Sequence, residues 1–236
     1  MIYCISDIHG EYDLFIQLLK EINFSSNDKM YICGDMIDKG KDSIKLLKFI
    51  RSNPNMFPII GDHEYEFLKF YHLLTSDVEG DYSSDDDKYI LDLLKKYFPN
   101  DGELLDWDTV DWLESLPYYI EEDNFICVHA GLPLQTTNGE HILEKVSDAY
   151  LLYDKEFGFN DTYDPNGKCV FFGHTPTILI SNDCKISLYE KKEKIGILSV
   201  SNYFKVNLDT GAWLYGVLGC FCVDTCKEYY VSRKES

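Results

Sequence analysis

Arginine is nearly missing from this chain: Arg51 and Arg233 are the only two among its 236 residues. With 22 Lys+Arg against 41 Asp+Glu the formal charge is −19, and no stretch gathers the lysines into a basic stripe. A surface of that sign repels nucleic acid and anionic membrane, so neither is expected as a partner. Any anionic substrate must then be held by a few local cations or by metal ions. Long apolar runs are lacking too; none approaches the roughly 20 residues that a membrane-spanning helix needs. Met1 leads straight into the strand-like I-Y-C-I-S with no basic stretch and cleavage site, so no signal peptide is expected and the cytoplasm is the expected compartment. Internal repeats, Pro-rich linkers and low-complexity tracts are absent as well. At 45% apolar and 15% aromatic residues, residues 1–236 fit one domain with an inserted lobe.

Cysteine is present, eight times, but not as a disulfide framework in a chain of this size and context. Cys4, Cys33, Cys127 and Cys169 sit inside apolar runs, where a thiol acts as a small core residue. The cluster Cys220, Cys222 and Cys226 has a spacing that fits no common zinc pattern, and no histidine is near it.

The first half alternates short apolar runs with helical patterns. Residues 1–6 read as a buried strand, and Leu14, Leu18 and Ile22, with Phe15 and Leu19, mark one face of a helix. M-Y-I-C at 30–33 predicts a second strand, Ile44, Leu47 and Ile50 a second helix, and F-P-I-I at 57–60 a third strand. This β-α-β-α-β order argues for an α/β sheet whose strand-end loops carry function. A helical, acidic insertion is expected at about 65–116, with helices over 64–74, 88–98 and 108–116, the last capped by Asp108. Counted from its first aspartate, the acidic run from Ser76 to Asp87 has neither the sixth-position glycine nor the closing glutamate of a calcium loop and reads as solvated surface. Strand signals return over 118–128 and 169–173, then through Gly-punctuated runs from 195 to 231 that read as a meander.

The loops that follow these strands share a composition. In order they are S-D7-I-H9-G, G-D35-M-I-D38-K39-G, G-D62-H63-E, H129-A-G and G-H174-T-P. Four of the six histidines therefore stand just beyond an apolar run, with Gly or Asp within two positions; His72 and His141 lie in helical patterns and read as structural. A mixture of carboxylate and imidazole suits first-row ions such as Mn, Fe or Zn better than Mg or Ca. Two such ions about 3.5–4 Å apart can share a carboxylate and activate water for in-line attack on phosphorus. Any one of these motifs arises by chance; five in order, each at a strand end, do not.

These residues resemble the metallophosphoesterases, and within them the phosphoprotein phosphatases in their compact bacterial and phage-lambda-type form. That family's signatures are G-D-x-H-G, G-D-x-x-D-R-G, G-N-H-E, H-A-G or H-G-G, and G-H-T. W112-L-E-S-L-P and N207-L-D-T-G211 also resemble the small bacterial members, so the likeness runs from about residue 2 to 219. It implies a calcineurin-like α/β sandwich of two mixed sheets flanked by helices, holding two divalent metal ions, with Mn²⁺ the first expectation. By the same resemblance Asp7, His9 and Asp35 bind the first ion, and Asp35 bridges to a second that also takes Asp62, His129 and His174. His63 is the general acid, oriented by Asp38, while Glu64 supports the loop. Lys39 and Lys155 stand where the family has phosphate-gripping arginines.

Three departures bear on activity. Asp62 replaces the family Asn and adds a negative charge, which predicts tighter metal binding and weaker phosphate binding. Lys39 and Lys155 replace planar guanidinium forks by point charges, which attract phosphate but orient it less well. The implied reaction is single-step hydrolysis of phosphoserine or phosphothreonine in a protein or peptide by a metal-bridging hydroxide, without a phosphoenzyme. Hydrolysis of dinucleoside tetraphosphates, whose enzymes resemble the same motif set, is the alternative, although the scarcity of arginine leans against it. A cyclic-nucleotide phosphodiesterase fits less well, because D-x-x-D-K-G points to the phosphoprotein branch. A phosphatase-like binding module without turnover is kept open by Asp62.

Overall fold

A computed structural model describes residues 1–76, 95–98, 105–133, 143, 146–161, 163–164, 166–192 and 198–233. The first half follows the expected order: β1 (Ile2–Ile5), α1 (Tyr12–Glu21), β2 (Lys29–Ile32), α2 (Ser43–Arg51), β3 (Met56–Pro58) and α3 (Asp62–Ser76). Then come α4 (Trp107–Glu114), β4 (Tyr119–Glu121), β5 (Phe125–Val128), α5 (Asp148–Tyr153), β6 (Cys169–Phe172), α6 (Thr177–Ser181), β7 (Ser187–Glu190), β8 (Tyr203–Asn207), α7 (Ala212–Tyr215), β9 (Val217–Cys222) and β10 (Lys227–Ser232).

The strands form two mixed five-stranded sheets, ordered β10-β9-β1-β2-β3 and β4-β5-β6-β8-β7. Within them β1, β2 and β3 run parallel, as do β5, β6 and β8. Each central strand is apolar on both faces, and its period of two divides its residues between two cores. Cys4, Tyr31, Cys33, Cys127, Cys169 and Phe171 point into the layer between the sheets. Their neighbours Tyr3, Ile5, Met30 and Ile32 face helices on one outer side, with Leu14, Phe15 and Leu18 of α1. Ile126, Val128, Val170 and Phe172 face the other outer side, with Leu151 and Phe157. The thiols of Cys4, Cys33, Cys127 and Cys169 are free and buried, as small core residues should be.

Several local details differ from the sequence reading. The expected meander splits: β8 joins the second sheet beside β6, whereas β9 and β10 form a hairpin in the first. Strand β7 was not anticipated, because its half-exposed S-L-Y-E pattern carries little apolar signal. The cap of α4 is Asp106, not Asp108. Asp106 has extended backbone and accepts the Thr109 N–H at 2.8 Å, whereas Asp108 lies within the first turn. Residues 77–87 of the acidic run, most of the expected helix 88–98, and His141 lie outside the described residues. His72 pairs with Glu114 at 2.8 Å on the surface. Among the described residues no helix is long and apolar enough to cross a membrane.

Candidate metal centre

The parallel strands of the two sheets deliver their C-terminal loops to one place, where ligands gather in α/β sheets. Asp7 and His9 follow β1, Asp35 and Asp38 follow β2, and Asp62 and His63 begin α3 just after β3. His129 follows β5 and His174 follows β6. Three groups of ligand atoms result, each within 4.8 Å: His9 with Asp35 and His63, Asp62 with His129 and His174, and Asp7 with Asp35 and His129. Asp35 belongs to two of them.

The backbone is bent to achieve this. Nine non-glycine residues among those described have positive φ, and six are Asp7, His9, Asp35, Asp38, Lys39 and His174. Such conformations are strained and persist only where surroundings hold them. In the loop after β2 the holding group is Glu64, which is fully buried. Its Oε1 accepts the N–H groups of Met36 (2.7 Å) and Ile37 (3.0 Å), and its Oε2 those of Asp35 (3.0 Å) and Gly61 (2.9 Å). One carboxylate thus ties the loop after β2 to the loop after β3. Glycine is required where these loops touch: a Cβ on Gly173 would stand 1.9 Å from Asp7 Oδ2, and one on Gly61 would stand 2.3 Å from Asp35 Oδ1.

Two of the histidines are aimed by contacts to backbone and two by contacts to carboxylates. His9 Nδ1 donates to the Ile37 carbonyl (2.9 Å) and His129 Nδ1 to the Cys33 carbonyl (2.8 Å), so in each the Nε2 faces the clustered carboxylates. His9 Nε2 is 3.4 Å from Asp35 Oδ2, and His129 Nε2 is 2.8 Å from Asp62 Oδ1. His174 Nδ1 is 3.1 Å from the same Asp62 oxygen, while its Nε2 is buried with no hydrogen-bond partner among the described residues. His63 Nδ1 contacts Asp38 Oδ2 at 2.7 Å, leaving Nε2 to face Asp35 at 3.8 Å.

The electrostatics show what the cluster lacks by itself. Burial, together with the charges of Asp62 and Asp7, pushes Asp35 well above the carboxylate range despite nearby histidines. Burial and the Lys39 ammonium bring His9 down to about 3, keeping it a neutral donor. Burial opposes charge on Asp62, but hydrogen bonds from His129 and His174 hold it well below its ordinary value. Burial likewise disfavours a charged His63, yet the Asp38 hydrogen bond and the Asp35 charge raise it to about 9. Crowded carboxylates, imidazoles with directed Nε2 atoms and an orphaned His174 nitrogen fit a cation-binding centre, and the mixed N/O set fits divalent first-row metals.

This centre floors a cavity of about 530 Å³ that Lys39 and Lys155 both line. Neither arginine lines it: Arg51 bonds Thr109 near the start of α4, and Arg233 bonds Glu11. All ten site residues expected from sequence border the cavity or contact a residue that does. Sequence reasoning assigned no part to Asp209, Phe159, Leu179 or Trp213, which line it too. Of these only Asp209 had a signal, the N-L-D-T-G motif.

A family model described as calcineurin-like phosphoesterase matches residues 1–197. Curated relatives include the symmetrical bis(5'-nucleosyl)-tetraphosphatase of Marinomonas sp. (strain MWYL1), 30% identical over 135 residues, 56% of this chain and 44% of that protein. The enzyme of the same name from Chromobacterium violaceum is 30% identical over 179 residues, 75% of this chain and 57% of the relative. The chain therefore spans about half the length of the curated relatives it matches. A crystal structure provisionally named a diadenosine tetraphosphatase superposes with a TM-score of 0.66 at 16% identity, covering 100% of this chain and 94% of that one. A metallophosphoesterase from Sphaerobacter thermophilus gives 0.55 at 17% identity, covering 100% and 89%. At such identities these likenesses concern the fold alone.

Proposed function

The chain belongs to the calcineurin-like phosphoesterases, and on that premise we propose that it is a metal-dependent hydrolase of dinucleoside tetraphosphates. The observation that carries the hydrolase part of this reading is the juxtaposition of Lys39 and Lys155 with the Asp/His clusters in one cavity, which places cations where a phosphate would lie beside bound metal. The names of the curated relatives support it. Asp7, His9 and Asp35 would hold one ion, and Asp35, Asp62, His129 and His174 the second. When bound, the ions supply Lewis acidity and an activated water. The protein's own part is to orient the scissile phosphate through Lys39 and Lys155 and to protonate the leaving oxygen from His63, whose proton Asp38 stabilises.

A second reading, hydrolysis of phosphoserine or phosphothreonine in a protein, is favoured by the shortage of cations: two lysines suit one phosphate dianion better than four linked phosphates. Initial rates with Mn²⁺ on diadenosine tetraphosphate and on a phosphoserine peptide separate the two. The nucleotide should give the higher kcat/KM. A higher value on the peptide would transfer the assignment to protein phosphatase.

Asp62 gives a further expectation. Two divalent ions with Asp7, Asp35 and a hydroxide leave one net positive charge, which Asp62 cancels. Asp62→Asn should therefore weaken Mn²⁺ binding and tighten inhibition by orthophosphate, each on the order of tenfold. Calorimetry and the orthophosphate inhibition constant read the two effects. Unchanged phosphate affinity would show that the extra charge is neutralised locally.

A further inference from the structure

Two segments at the cavity mouth carry exposed rings on tightly held backbone. In the loop after α5, Lys205 of β8 is almost fully buried and donates to the carbonyls of Phe157 and Asn160, the latter at 2.7 Å. The Tyr189 hydroxyl of β7 donates to the carbonyl between them, that of Gly158, at 2.5 Å. The Lys205 ammonium also lies 4.3 Å from the Phe157 ring centroid, and burial brings its amine down to about 8. With these carbonyls drawn toward the sheet, Phe159 lines the cavity while 56% exposed.

The second segment is α7. Asp209 Oδ1 accepts the Gly211 N–H at 3.0 Å, and its carbonyl accepts the Thr177 N–H at 2.8 Å. At the other end the Arg233 N–H donates to the Gly216 carbonyl (2.7 Å) and its guanidinium to the Trp213 carbonyl (3.3 Å). Trp213 also lines the cavity and is 40% exposed. Lys39 connects this ring to the metal centre, with Nζ 5.9 Å from the Trp213 centroid and 3.4 Å from His9 Nε2.

Exposed aromatic rings on anchored backbone, contiguous with a cationic and metal-ligating floor, match a ligand that is planar at one end and anionic at the other. Resting on the nucleotide reading above, we infer that Trp213 and Phe159 form a nucleobase subsite, stacking the base while Lys39, Lys155 and the ions take the phosphates. The complementarity is of charge as well as shape, since Lys39 lies beside the Trp213 ring and Lys155 lines the same cavity in a chain of net charge −19. The subsite selects among substrates and takes no part in bond cleavage.

The test compares diadenosine tetraphosphate with inorganic tripolyphosphate, which has the anhydride but no base, both with Mn²⁺. Trp213→Ala and Phe159→Ala, which truncate partly exposed rings, should each raise the ratio of KM for the nucleotide to KM for tripolyphosphate on the order of tenfold. An unchanged ratio in both variants overturns the subsite even if the native protein cleaves the nucleotide. Should the native protein cleave no nucleotide, the reading above fails, and the subsite is judged by quenching of Trp fluorescence on adding adenosine monophosphate. Quenching that disappears in Trp213→Phe supports it, and no quenching overturns it.

Discussion

His63→Asn should lower kcat roughly 10²- to 10⁴-fold at saturating Mn²⁺ and substrate, the range for loss of a positioned proton donor. The expectation follows from one contact. Asp38 Oδ2 sits 2.7 Å from His63 Nδ1, so the imidazole is anchored on one nitrogen and offers the other to the centre. Asp38 is itself suited to this: burial would raise its carboxyl, but the His63 hydrogen bond holds it below the ordinary value. The sign of the pH dependence follows. His63 is raised to about 9, so its protonated form is populated at neutral pH, and activity that needs the proton falls as pH rises through that region. Cations bound nearby would move the fall to lower pH, because they repel the imidazolium. Asp38→Asn should move it lower still, since the group that stabilises the proton is then neutral. A kcat for His63→Asn within tenfold of the native value would remove His63 from the role of proton donor, and an unmoved alkaline limb in Asp38→Asn would remove Asp38 from its support.

The largest effect on stability is expected at Glu64. Truncation to alanine leaves four buried backbone N–H groups without their acceptor, at positions 35, 36, 37 and 61. A buried donor left unpaired costs about 1–3 kcal/mol, and bonds to a charged acceptor are the stronger kind. Allowing for relaxation and entry of water, a loss of about 4 kcal/mol is expected, large for one substitution. Glu64→Gln should recover only part of it, because the amide NH₂ would face two of the four N–H groups instead of accepting from them. Urea unfolding of the metal-free proteins measures the difference. A loss below about 1 kcal/mol for the alanine variant would mean that the strained loop after β2 is held by something other than this carboxylate. The same variant should also bind Mn²⁺ more weakly, since Asp35 lies on that loop.

Much of this molecule was legible from residue order. The early strands are runs of three or four largely apolar residues because both of their faces are buried, and the face of α1 shows in the spacing of Leu14, Leu18 and Ile22. The site residues were legible for a related reason. A loop that must turn at the end of a parallel strand and present ligands there needs Gly, Asp and His within a few positions, so the signal is local. Even the supporting part of Glu64 could be read, two residues beyond Asp62.

What the sequence could not express depends on distance through space. The split of residues 203–232 between two sheets turns on which neighbour completes each backbone ladder, and β8 and β9 look alike as apolar runs. How the ligands partition into three overlapping groups depends on where separate loops converge, and only the fold brings His129 within 3.5 Å of Asp35. Phe159 and Trp213 carry no motif. Their place at the cavity mouth is decided by a buried lysine on β8 and an arginine after β10, contacts that span 20 residues or more of chain. Short-range chemistry could be read from the order of residues, whereas the walls that would choose a substrate were set by long-range packing.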